Sequence, residues 1–100
     1  MTDFYALLGF EAVEPPPTLA GRAVWLEQGA TQVHLQTIES GAPAPRGGHF
    51  AVVAGRYAET LAALRAAGHE PHPRQEHWGV LRAFVSDPAG NTVEIMAAAP

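Results

Sequence analysis

"FVSDPAGNTVEIM", Phe84–Met96, reads as two strands and the tight turn between them. Asp87 and Pro88 suit the first two turn positions, and Gly90 supplies the positive φ that closes it. Beyond the turn, strand alternation sets Val93 and Ile95 on one face and Thr92, Glu94 and Met96 on the other. A carboxylate therefore stands mid-strand, and the question is what it does there.

Upstream of this hairpin, "HEPHPRQEHWG" (His69–Gly79) is a loop rich in His and Pro. Before it, "RYAETLAALRAAG" carries Tyr57, Leu61 and Leu64 at helical spacing, with Gly68 where a left-handed C-terminal cap belongs. "HFAVVAG", from His49, is an apolar run of strand length. The second half thus reads as strand, helix and three strands. The first half follows the same order. "DFYALLG" pairs Phe4 with Leu7 and Leu8 at helical spacing and stops at Gly9, after which come "FEAVE", a turn at Pro15–Pro17, "AVWLEQ" and "TQVHLQ".

Laid side by side, "LGFE" (Leu8–Glu11) matches "AGHE" (Ala67–Glu70), and "AVWLEQGATQVHL" matches "RAFVSDPAGNTVEIM" with small gaps. His34 then falls on Glu94. This is an internal repeat, joined by "ESGAPAPRGG", whose Pro and Gly content marks a linker. The reading is one domain over 1–100: module one 1–38, linker 39–48 and module two 49–98. The second copy opens with a strand before its helix, whereas the first opens at Met1 with the helix already under way. Module one is expected to lack its leading strand.

Composition narrows the function. One hundred residues, 47% apolar, make one compact domain of modest core. A net charge of −4 without a basic cluster argues against a nucleic-acid partner. With no cysteine there are no disulfides, Cys-ligated zinc sites or thiol nucleophiles, which fits a reducing cytoplasm. No signal peptide and no apolar run near the roughly 20 residues of a membrane span are present. The expectation is a soluble cytoplasmic domain.

In this order and with this repeat, "FYALLGFE", "QVHL", "GHFAVV", "LAALRAAG" and above all "FVSDPAGNTVEIM" resemble the vicinal oxygen chelate superfamily. That superfamily includes glyoxalase I, fosfomycin-resistance enzymes, bleomycin-resistance proteins, methylmalonyl-CoA epimerase and extradiol dioxygenases. The resemblance covers nearly the whole chain. It implies an α+β fold of two βαβββ modules whose curved mixed sheets surround a shared cleft. It also implies a divalent metal held by the first and last strands of each module. Carried over by position, His34 is the last-strand ligand of module one, His49 the first-strand ligand of module two and Glu94 its last-strand ligand. The fourth position would lie on the missing strand. Imidazole and carboxylate together suit Fe, Mn, Ni, Co or Zn with positions left open for substrate. Such an ion can take two adjacent oxygens of a small molecule, and Glu94 is the residue that the resemblance nominates to move a proton.

Plainer readings stand beside these. A mid-strand His is often only hydrogen-bonded structure, Glu94 could face solvent, and His49 could belong to the Gly47–Gly48 loop. His69 matches Phe10 and reads as packing, His72 between prolines as solvated, and His77 and Trp78 as a surface loop. Gly47–Gly48 lacks the Lys-Ser/Thr of a phosphate loop. Two function classes follow: a metal-dependent lyase, isomerase or dioxygenase acting on a small molecule, and a metal-free ligand-sequestering protein of the bleomycin-resistance kind. Alternation nominates Gln32, Gln36, Ala51, Val53 and Met96 as cleft-lining residues. An exposed strand edge and the apolar residues around Phe4, Leu7 and Leu8 lead to the expectation of a homodimer.

Overall fold

The computed structural model describes residues 1–36, 45 and 47–99. Most of the expected linker 39–48 lies outside them; only Pro45, Gly47 and Gly48 fall inside. The chain divides into two compact units, Thr2–Ala42 and Pro43–Pro100.

The first unit begins with the short helix α1, Thr2–Ala6. It ends two residues earlier than the apolar spacing through Leu8 predicts, because Gly9 imposes a left-handed cap. Gly9 lies at φ 91°, its amide donates to the Ala6 carbonyl, and the Phe10 amide reaches back to the Tyr5 carbonyl at 3.1 Å. That pair of bonds is a Schellman motif, and the accompanying apolar contact is Phe10 edge-on to Tyr5, 6.3 Å between centroids. A Cβ at Gly9 would sit 2.5 Å from Gln28 Nε2, so both the backbone angle and the space favour glycine. The strands β1 (Glu11–Val13), β2 (Ala23–Gln28) and β3 (Thr31–Gln36) follow, with a 3-10 turn at Pro17–Leu19. They form an antiparallel sheet in the order β1-β2-β3. Phe4, Tyr5, Leu8, Phe10 and Leu26 are the buried apolar side chains of this unit.

The second unit is β4 (His49–Val53), α2 (Tyr57–Ala66), β5 (His72–Pro73), β6 (Arg82–Ser86) and β7 (Thr92–Met96). Its sheet runs β4-β7-β6-β5, with β4 parallel to β7 and the other pairs antiparallel. The helix cap repeats that of α1. Gly68 lies at φ 90°, its amide bonds the Arg65 carbonyl, and the His69 amide reaches the Leu64 carbonyl at 2.9 Å. His69 therefore occupies the place of Phe10, as the repeat requires. One face of the sheet is apolar and buried (Val52, Ala83, Val85, Val93, Ile95), and Leu61 and Leu64 of α2 are buried with it.

The two copies agree residue by residue in register. Trp25 pairs with His34 as Phe84 pairs with Glu94, and Leu26 pairs with Val33 as Val85 pairs with Val93. They differ at one edge. In the second unit β7 lies between β6 and β4, whereas in the first β3 has β2 on one side and, among the described residues, no strand on the other. The mixed α+β architecture is that of two βαβββ modules, the first described without a leading strand. Among the described residues no helix is long and apolar enough to cross a membrane.

Candidate metal and ligand site

Residues paired across neighbouring strands share a face of the sheet. In the second unit His49 pairs with Thr92, Ala51 and Phe84 both pair with Glu94, Arg82 pairs with Met96 and His72 with Phe84. One face therefore carries His49, Glu94, Arg82, Phe84 and His72, opposite the apolar face that forms the core. His49 is a strand residue and not part of the preceding loop.

Glu94 is only 8% exposed, so its charge must be met inside the protein. Two groups meet it. His49 Nε2 lies 3.1 Å from Oε1, and Arg82 Nη1 donates to Oε2 at 3.4 Å. Arg82 is itself fixed by a 2.7 Å bond from Nε to the Gln75 carbonyl. Phe84 forms the floor, its centroid 4.9 Å from the His49 ring and 5.5 Å from the Arg82 guanidinium carbon.

The other nitrogen of His49 decides what the cluster can hold. Nδ1 is 3.0 Å from the Gly47 carbonyl oxygen, an acceptor, so Nδ1 carries a proton and donates. Nε2 of that tautomer presents a lone pair to a carboxylate oxygen 3.1 Å away. Two lone pairs do not face each other at that distance without a positive centre shared between them. One solution is a second proton, making an imidazolium paired with Glu94. The other is a metal ion, because a backbone carbonyl fixing the far ring nitrogen is the usual support of a ligating His. Ligand atoms about 2.1 Å from one ion lie about 3.0 Å apart across a right angle and about 3.4 Å across a tetrahedral one. The observed separation falls inside that interval, so His49 and Glu94 fit as neighbouring ligands, with Arg82 leaving one carboxylate oxygen available.

His34 lies in the first unit. Its ring stacks on Trp25, 3.7 Å between centroids and 7° between planes, and Nε2 bonds Gln32 Oε1 at 2.9 Å. The structure thus joins two of the three expected ligands in one place and shows the third held by an aromatic plane. Among the described residues no group of three His, Asp or Glu side chains converges on one point. Arg82 and Phe84 were not singled out from sequence. The available signal was alternation: with Glu94 facing one way, its hairpin partner Phe84 and the residue two before it must face the same way.

The family model of the Glyoxalase/Bleomycin resistance protein/Dioxygenase superfamily matches residues 1–95. The chain belongs to this superfamily. Solved structures agree with that membership. A protein from Bacillus anthracis assigned to the glyoxalase family is 29% identical, with a TM-score of 0.81 over 93% of this chain and 76% of that one. Lactoylglutathione lyase from Agrobacterium tumefaciens is 26% identical, with a TM-score of 0.69 over 93% of this chain and 79% of its own. A bleomycin-binding protein solved with bleomycin shares the fold at 18% identity, with a TM-score of 0.68 over 98% and 87% of the two chains. No protein of curated function matches the sequence significantly. The superfamily therefore unites enzymes and ligand-binding proteins on one scaffold, and the scaffold alone does not choose between them.

Proposed function

We propose that the chain is a metal-dependent small-molecule enzyme of the superfamily, with His49 and Glu94 of the second unit as ligands to one divalent ion. The observation that carries this reading is His49 Nε2 lying 3.1 Å from Glu94 Oε1 while Nδ1 is engaged by the Gly47 carbonyl. When bound, an ion such as Fe, Mn, Ni, Co or Zn supplies Lewis-acid polarisation of two adjacent oxygens on the ligand. The remaining work belongs to the chain. Phe84 gives the ligand a flat apolar floor and keeps water from one side of it. Arg82 orients the carboxylate, and by releasing Oε2 it would let Glu94 accept a proton from a bound carbon acid, the step of a lyase or isomerase.

Arg82 also favours a second reading. With His49 doubly protonated, Arg82, Glu94 and His49 make a closed network that needs no ion, and the face becomes a metal-free binding surface in a superfamily that includes a bleomycin-binding protein.

Equilibrium dialysis of chelator-treated protein against Mn, Co, Ni and Zn separates the two. The expected result is about one ion per chain, weakened about tenfold or more in each of His49→Gln and Glu94→Gln, as loss of one ligand requires. Parent-like affinity in both variants would leave the metal-free reading standing.

A further inference from the structure

Four of the six basic residues of the chain can be assigned a use from the structure: Arg22 bonds the Thr18 carbonyl, Arg56 pairs with Glu59, Arg65 with Glu70 and Arg82 with Glu94. Arg74 differs. It is exposed, and among the described residues it has no carboxylate partner. It is not left to wander, however. Its backbone amide donates to the Arg82 carbonyl, extending the β5–β6 ladder by one residue, and its guanidinium carbon lies 5.0 Å from the centroid of Phe84. A planar cation laid on an aromatic ring is restricted in orientation while its five N–H donors stay available.

Around it is a shallow depression of about 230 Å³ lined by His72, Arg74, Phe84, Val85, Ser86 and Thr92. The lining supplies a fixed fork of donors, an imidazole, two hydroxyls and an aromatic wall, with no carboxylate. The sheet face it belongs to sets two arginines against the one carboxylate of Glu94, on a chain whose net charge is −4. Positive potential is thus concentrated at this place against the overall sign, which draws anions to it. The volume lies below the roughly 300–1,000 Å³ of sites for drug-sized ligands, so the occupant is small.

We propose that Arg74, His72, Ser86 and Thr92, with the Phe84 ring as wall, form a binding subsite for a small planar carboxylate. Arg74 takes the carboxylate through two parallel N–H···O bonds, a geometry that its fork matches, and the aromatic wall, which a phosphate would leave unused, favours a flat organic acid. The hydroxyls of Ser86 and Thr92 bond the outer lone pairs, and the flat body of the ligand lies against Phe84. The proposal does not rest on the metal reading, since none of these four polar side chains is one of the ligands named above.

The test uses chelator-treated protein, so that no metal can attract the carboxylate, and benzoate as the probe, followed by amide chemical-shift changes. Saturable binding is expected, with shifts centred on His72, Arg74, Phe84, Ser86 and Thr92 and weakening as salt is raised. Benzyl alcohol, the same ring without the charge, is expected to bind about tenfold or more weakly. Arg74→Gln, at an exposed position and with its fold checked by the same spectra, is expected to lose about tenfold in benzoate affinity, and Arg74→Lys to recover only part of it. The assignment is overturned by absence of saturable benzoate binding, by unchanged affinity in Arg74→Gln, or by full affinity in Arg74→Lys. Displacement of benzoate by an equal concentration of inorganic phosphate would also overturn it, marking a general anion patch.

Discussion

Asp87 is buried at the head of the β6–β7 turn, where Oδ1 accepts from the amides of Ala89 and Asn91, and Oδ2 from Asn91 Nδ2, each at 2.9 Å. The carboxylate stands in for backbone acceptors that a tight turn cannot offer, which is why Asp suits this position. Asp87→Ala is expected to cost about 2 kcal/mol, and Asp87→Asn, which keeps one acceptor, about half of that, measured as urea midpoints at constant slope. Glu94→Gln leaves the largely buried guanidinium of Arg82 without its carboxylate, so the metal-free protein should melt at a lower temperature. If the ion binds here, the rise in melting temperature that added Zn gives the parent should vanish in the variant. A solvent-facing glutamate would leave both melts alike, an outcome that the burial of Glu94 already opposes.

Elements follow from local rules wherever the rule is carried by a few adjacent residues. The hairpin is legible because its turn chemistry sits between two alternating runs. The caps of both helices are legible because Gly9 and Gly68 stand where the apolar spacing stops, and so the repeat could be seen. The cluster around Glu94 was legible only in part. His49 and Glu94 are brought together by the parallel register of β4 on β7, and no residue of either strand encodes that alignment alone. Arg74 lies inside a loop of His and Pro with no periodicity and Arg82 just beyond it, so their common face with Phe84 emerges only once the strands are paired. The helix α2 gives two further expectations. Leu64 has no exposed surface, and Leu64→Ala should cost about 2–5 kcal/mol in chemical denaturation. Burial pushes the Tyr57 phenol above its ordinary value of 10.0, with Arg65 pulling the other way. Because the folded value is the higher one, this contribution to stability is intact below pH 10 and is lost as pH rises through the folded value. Tyr57→Phe should therefore blunt the alkaline fall in denaturation midpoint while leaving the neutral one nearly unchanged.

At the scale of the molecule, the two sheets differ in how they end. Among the described residues no strand pairs with the outer side of β3, and an open edge of six residues is a template for another strand. A homodimer is expected, detected by light scattering at micromolar concentration; a concentration-independent monomer would remove this expectation. In the second sheet the equivalent edge, that of β7, is closed instead by β4, the parallel pairing of Phe50 with Val93 spanning the whole of α2, β5 and β6. That closure orders events in time. The hairpins β2–β3 and β6–β7 join near neighbours in sequence and can form early, whereas β4 must wait for the last strand and bear the entropy of the largest loop. His49 travels with β4, so the Glu94 cluster is completed at the final docking step, and it is the first thing lost when β4 detaches. Amide exchange along β4 should then proceed through openings of lower free energy than exchange along β6 and β7. Whatever binds at His49 and Glu94 would act as a latch on the slowest-forming joint of the fold.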